Sequence, residues 1–408
     1  MTRTTRALWA AAILSALPAV RQASAATSTC EPDGVQTSGA IYRICMPAVW
    51  NGDLVVYAHG YVGFNEPVAI PEDQLVLPDG TSVPQLVNTL GFAFATTSYS
   101  TNGLAVEQGI DDVVDLVHVF TTTHGAARHV FLAGPSEGGL ITTLAVERHP
   151  DVFSGGLAAC GPIGDFRRQI NYDGDFRVIF DYFFPGVIPG SPISVPADVI
   201  DGFTNVYVPA IQAATQANPD AVRQLLKVTH APTDQADPSS IEATILGLAF
   251  YDVFATNDAG QKLGGQPYAN WLTFYRGSDD DVKLNANVAR FTPDSAALTT
   301  IRQNYQTTGR LRSPLVTLHT TGDPIVPYWH EPQYTLKTLL AGSFTRHIDM
   351  SISRYGHCQF KAPEALAAFA VLVFMVNRQN LNGVEAVLPD GASQTDYRAL
   401  IRRYGGTP

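Results

Sequence analysis

The chain has 408 residues, 37 of them acidic and 26 basic; 45% are hydrophobic and only 15% are charged. That apolar share can fill a core, and so few charges argue against long disordered tracts. The length admits two or three domains or one large α/β unit, and the scattered prolines mark no linker.

The chain opens with Arg3 and Arg6, an apolar run over 7–20, and the small residues Ala23-Ser24-Ala25. That order is the one of a secretory signal peptide, here residues 1–25. The apolar run is too short to anchor the chain across ~30 Å of hydrocarbon. Without this segment the chain keeps 23 basic residues against 37 acidic, a net charge of −14. A surface that acidic repels phosphate backbones and anionic lipid, so no nucleic-acid partner is expected and neutral or cationic substrates are favoured. No later stretch is long and apolar enough to span a bilayer, so an exported, soluble protein without a membrane anchor is expected.

Export makes the cysteines readable. Cys30, Cys45, Cys160 and Cys358 allow three pairings in an oxidising compartment. Cys30 and Cys45 flank a turn-rich stretch with Asp33-Gly34 and Ser38-Gly39, which suits a local bridge and would leave Cys160 with Cys358. No CxxC or HExxH spacing points to zinc, and no cofactor or metal is expected.

Residues 26–165 read as the first part of an α/β core. The runs 41–44, 54–58 and 92–97 are β-like, and 106–120 has helical spacing with Ile110, Val113, Val114 and Val117 on one face. A short apolar strand over 129–133 ends at Gly134, a helix follows over 140–149 and stops at Pro150, and 155–159 is a strand of small residues. Near-continuous apolar strands between helices indicate a parallel sheet covered on both faces. The rhythm breaks over 166–310, which carries Pro185, Pro189, Pro192 and Pro196, helical pieces such as 221–228, and many aromatics. This stretch reads as an inserted lid domain whose aromatics mostly build its own core, with a few available to line an acyl or aromatic pocket. Asn171-Tyr172-Asp173-Gly174-Asp175 within it lacks the later ligands of a calcium loop. The core resumes over 311–380 with strands at 314–318 and 347–352 and helices at 334–340 and 363–376. The tail, 381–408, has no readable pattern.

Gly134-Pro135-Ser136-Glu137-Gly138 is a G-x-S-x-G pentapeptide that follows a buried strand and opens a helix. A serine on such a tight turn holds its Oγ clear of the backbone, and the turn has no room for flanking side chains. Here the sequence resembles the α/β-hydrolase superfamily over both core segments. The resemblance implies an α/β fold with a mostly parallel central sheet, helices on both faces and an inserted lid. It also implies the chain order nucleophile, acid, histidine. Thr321-Gly322-Asp323-Pro324-Ile325-Val326-Pro327 is similar to the family's acid loop, and Tyr355-Gly356-His357-Cys358 follows the last strand. Ser136, Asp323 and His357 are therefore the expected triad. Asp349 is a rival acid, and Asp279, Asp280 and Asp281 read as a solvated loop. The oxyanion-hole donors would be the N–H of Glu137 and the N–H of Tyr61, in a His59-Gly60 turn similar to the family's, with Gly60 or Val62 one position off. His59 reads as structural, and the Glu137 carboxylate as a cap on its own helix. The Cys358 beside His357 resembles a device of secreted tannases and feruloyl esterases, in which that cysteine is bridged to one near the serine; Cys160 is the partner available here.

The leading expectation is a secreted serine hydrolase cleaving carboxylic esters, small or polymeric. A peptidase or amidase of prolyl-oligopeptidase-like type comes second, since Ser-x-Gly-Gly occurs there too, but no propeller-like repeat or acidic pair for a peptide amine is visible. A catalytically inactive binding protein on the same scaffold comes third.

Overall fold

The computed structural model describes residues 29–388 and 390–404; the expected signal peptide lies outside them. Nine strands form one sheet: β1 (Thr29–Cys30), β2 (Gly34–Val35), β3 (Ile41–Met46), β4 (Leu54–Tyr57), β5 (Ala93–Thr97), β6 (Val130–Pro135), β7 (Gly155–Ala159), β8 (Leu315–Gly322) and β9 (His347–Tyr355). The order is β1-β3-β5-β4-β6-β7-β8-β9, with β2 also on β3. From β5 to β9 every pairing is parallel, and the first strands run antiparallel. β4 and β5 are buried throughout, as strands covered on both faces must be.

Side chains alternate between the two faces. Leu54, Val56 and Leu132 pack beneath α2 (Val106–His124) and α3 (Glu137–Arg148), which follow α1 (Val83–Thr89) in the chain. Val55, Phe131 and Val316 face the other way.

Between β7 and β8 the chain is helical. α4 (Phe166–Phe183) is capped by Asp165, whose side chain accepts the Arg168 N–H. After α5 (Ala197–Gly202), α6 (Val208–Ala217) and α7 (Pro219–Thr229) comes the long α8 (Ser239–Lys262), then α9 (Asp281–Asn287) and α10 (Ser295–Thr300). Phe176, Phe180 and Phe184 join Leu248 and Val253 in a core of their own. Arg177, fully buried, bridges Asp181 and Asp252 and so ties α4 to α8. This core also takes in Ile325 and Val326, so the helical insertion rests on the loop that follows β8.

The last helices are α11 (His330–Leu340), α12 (Ala362–Asn377), α13 (Val384–Val387) and α14 (Gly391–Arg403). The tail that showed no pattern in sequence forms α14, capped by Asp390, and buries Tyr397 and Ile401 in the core that holds α12. Leu400 and Tyr404 pack against the same core, half-buried.

Candidate active site

β6 ends at Pro135 and α3 begins at Glu137, so Ser136 alone makes the turn. Its backbone sits at φ 54°, ψ −122°, a conformation that costs a non-glycine residue of order 1–3 kcal/mol. The neighbours explain why this turn takes glycine on both sides. A Cβ on Gly134 would lie 2.4 Å from the Ala58 carbonyl oxygen, and one on Gly138 only 2.0 Å from the same atom. The Ser136 N–H donates to Ala159 O at 2.8 Å, which pins the turn to the end of β7.

The two loops that follow β8 and β9 meet this serine. His357 Nε2 lies 2.8 Å from Ser136 Oγ, and His357 Nδ1 lies 2.7 Å from Asp323 Oδ2. The structure thus brings together the three residues picked out in sequence. The other Asp323 oxygen accepts the N–H groups of Ile325 and Val326 at 2.9 and 3.0 Å. Burial pushes the Asp323 carboxyl up, but His357 and His319 outweigh it and hold the group at about 2. The rival Asp349 is engaged elsewhere, accepting from the Tyr328 hydroxyl.

His319 gave no functional signal in the sequence. It is fully buried; Nδ1 faces Glu331 Oε1 at 2.9 Å, and Nε2 faces Val326 O at 2.8 Å. Both partners only accept, so both ring nitrogens must carry protons and the ring is an imidazolium. Burial alone would lower its pKa, but the Asp323 and Glu331 carboxylates raise it to about 10.

The turn at 59–61 lies directly against the serine: a Cβ on Gly60 would come within 3.3 Å of Ser136 Cβ. The Gly60 N–H is already taken by Gln74 Oε1 at 2.7 Å, which removes it as an oxyanion donor; of the three positions considered, those of Tyr61 and Val62 remain. His59 is buried and stacked on Tyr99, with ring centroids 3.9 Å apart, in line with a structural role.

Glu137 departs from expectation. It does not cap α3; α2 packs alongside and presents its first N–H groups, and Glu137 Oε1 accepts from Ala105 N at 2.9 Å. The side chain is 7% exposed and Oε2 has no partner. Burial raises its carboxyl to about 8, against the pull of the Ala105 N–H and Lys262.

Cys30 is bonded to Cys45 and Cys160 to Cys358. The second bridge puts the Cys358 sulfur 3.4 Å from His357 Nε2. Asn171–Asp175 is not a metal loop: it lies within α4, where Asp173 accepts from Gln169 and Asp175 from the Tyr268 and Tyr275 hydroxyls.

The helical insertion contributes one side chain to this site. Tyr251, on α8, lines the cavity beside Ser136, and burial keeps its phenol protonated. Its ring lies 5.6 Å from that of Tyr61, whose own hydroxyl donates to Phe254 O. Tyr251 alone of the insertion's aromatics lines the cavity beside Ser136; Tyr172, Phe274 and Tyr275 line a separate pocket within the insertion. The cavity beside Ser136, about 550 Å³, is walled instead mainly by the sheet, α1 and α12.

A serine on a strand-to-helix elbow, an acid after β8 and a histidine after β9 occupy the edge of a mostly parallel sheet covered by helices. The chain has the α/β-hydrolase fold. No protein-family model matches this sequence, and no curated protein does. Solved structures with similar coordinates include feruloyl esterase B from Aspergillus oryzae, at 14% identity and a TM-score of 0.46, covering 88% of this chain and 80% of that one. Candida antarctica lipase A in its closed state has 12% identity and a TM-score of 0.45, covering 91% and 84%. An acylaminoacyl peptidase has 11% identity and a TM-score of 0.43, covering 88% of this chain but 43% of the peptidase. The chain therefore spans less than half the length of that peptidase.

Proposed function

We propose that this α/β-hydrolase is a secreted serine hydrolase that cleaves carboxylic esters. The observation that carries the reading is the unbroken chain Ser136 Oγ–His357 Nε2, His357 Nδ1–Asp323 Oδ2, at 2.8 and 2.7 Å. A serine hydroxyl becomes a useful nucleophile when a base accepts its proton, and the carboxylate fixes the tautomer that leaves Nε2 free to do so.

His357 would take the Ser136 proton as Oγ attacks the ester carbonyl. The N–H groups of Glu137 and Tyr61 would hold the resulting oxyanion. The imidazolium then gives its proton to the departing alkoxide, leaving an acyl-Ser136. Water, deprotonated by His357, attacks that acyl group, and proton return to Oγ releases the acid. Export fits two disulfides and an acidic chain; among the described residues no helix is long and apolar enough to cross a membrane.

The test is turnover of p-nitrophenyl butyrate beside a panel of p-nitroanilide peptides, for the parent and Ser136→Ala. Ester turnover that collapses in the variant supports the reading. Anilide turnover without ester turnover would shift it to a peptidase, and a variant as active as the parent would remove Ser136 from the chemistry.

A further inference from the structure

The cavity beside Ser136 continues well past the reacting groups. On the sheet side its wall is Val55, Ala133, Leu157, Ala159 and Leu318, all on the face away from α2 and α3. Across from them stand Val83, Leu86 and Val87 of α1 and the Leu90 that caps it, and Leu366 and Phe369 of α12 complete the enclosure. Ala133 and Ala159 leave space where neighbouring strand positions carry Phe131 and Val316. Leu86, Val87 and Leu90 stay half-buried despite facing inward, because they border the space rather than fill it.

Polarity is confined to one end. Asp73, Gln74, Gln359, Ser136 and His357 sit at the mouth. Gln74 already donates to Tyr61 O and accepts from the Gly60 N–H, and the Tyr57 hydroxyl is spent on Gln74 O. Apart from Tyr57, the lining residues from the sheet strands, α1 and α12 are apolar, so a ligand hydroxyl carried among them would lose its water without a partner.

The sheet register measures the depth. Val55 pairs with Phe131, five residues along β6 from Ser136, which is roughly 16 Å at ~3.3 Å per residue. The volume, about 550 Å³, falls within the range of small-molecule sites.

We propose that this cavity is an acyl-chain site, and that the ester carries a straight aliphatic acyl group of about eight to twelve carbons with its carbonyl at Ser136. The proposal rests on the ester reading for its chemistry and on the cavity for its specificity. An aliphatic chain satisfies every part of the wall, whereas a hydroxylated aromatic acyl group would bury its hydroxyl unpaired.

Two measurements separate the parts. The first is kcat/KM for p-nitrophenyl esters from acetate to palmitate, with a hydroxycinnamate ester alongside, for the parent, Leu86→Trp and Val87→Trp. The expected profile climbs by about fourfold per methylene, the factor equivalent to ~0.8 kcal/mol per buried CH2, and then turns over once the cavity is full. Either tryptophan shortens the cavity and lowers the decanoate-to-butyrate ratio by about tenfold or more. The second is calorimetric titration of Ser136→Ala with decanoate, where binding with a negative heat-capacity change is expected. Ester turnover that is flat with chain length, or best for acetate or hydroxycinnamate, overturns the acyl-chain site while leaving an esterase. Decanoate binding without turnover of any ester supports the site and removes the esterase reading. Neither binding nor chain-length preference sinks the proposal even if both tryptophan variants fail to fold.

Discussion

The Asp323 oxygen that faces His357 Nδ1 at 2.7 Å also lies 3.6 Å from Nε2 of the buried His319. Two imidazoles therefore share one carboxylate oxygen, and a second carboxylate, Glu331, backs His319 at 2.9 Å. This alternation of charges lets a fully buried aspartate stay ionised, since burial by itself favours its neutral form.

His319 is accordingly a positioning residue, and His319→Gln is expected to be costly. It leaves Glu331 buried without its ionic partner, a situation that costs about 3–5 kcal/mol. The pH dependence separates this from simple loss of packing. Asp323 has a depressed pKa, so the stability it contributes is present above the unfolded value near 4 and is lost as pH falls toward about 2. Removing His319 raises that pKa toward the unfolded value, so the stability that the parent loses between about pH 4 and pH 2 shrinks in the variant. Urea midpoints over pH 2–6 read the change. An unchanged acid loss of stability in a folded variant would sink the idea.

Tyr251→Phe tests the insertion's contribution. The phenol is protonated and near Ser136, so it can donate toward charge that develops there. The expected effect is a fall in kcat of about tenfold, less than the 10²–10³ of a principal oxyanion donor, with the melting temperature little changed. A drop in KM alone, or no change in either constant, would assign Tyr251 to packing.

Glu137 makes stability fall as pH rises. Its folded pKa, about 8, stands above the ordinary value of 4.5, so between those two pH values the folded chain binds a proton that the unfolded chain has released. Stability therefore declines across that window by up to ~1.4 kcal/mol per pH unit. Glu137→Gln keeps an acceptor for the Ala105 N–H and removes the titration. Thermal melts at pH 5 and pH 8 should differ less in this variant than in the parent, and equal slopes would contradict the assignment.

The parts of this fold that were readable in sequence are those with local causes. β4, β5, β6 and β7 are apolar runs bounded by turns, and the elbow announces itself because only glycine fits at 134 and 138. The loops of Asp323 and His357 could be placed because they follow strands. What escaped depends on contacts between distant segments. His319 looked like one more strand residue, and its charge appears only once Glu331 folds over it. The acyl cavity is a gap between α1 and α12 over two alanines, and nothing in a run such as Phe131-Leu132-Ala133 says what stands opposite. Tyr251 was one aromatic among many until α8 crossed the end of the sheet. α1, at seven residues, is too short for helical periodicity to register.

The Cys160–Cys358 bridge joins the end of β7, the strand beside the elbow strand, to the residue after His357. It closes a loop of 198 residues in sequence, for which the chain-entropy model gives about 5 kcal/mol. Its placement has a more local consequence. Ser136 is held to β7 through Ala159 O, and Cys160 is the next residue, so the bridge references the His357 loop to the same strand end that fixes the serine. Mild reduction, or Cys160→Ala with Cys358→Ala, should therefore loosen His357 relative to Ser136 before the core opens, because the sheet and the core around α12 do not depend on the sulfur atoms. The expected order on titrating reductant is loss of ester turnover first, with far-ultraviolet helix signal retained until higher temperature or denaturant. kcat should fall more than KM changes, since the geometry of proton transfer is disturbed and the acyl cavity is not. Activity and helix signal lost together, at the same reductant concentration, would mean that the bridge holds the fold and has no separate hold on the histidine.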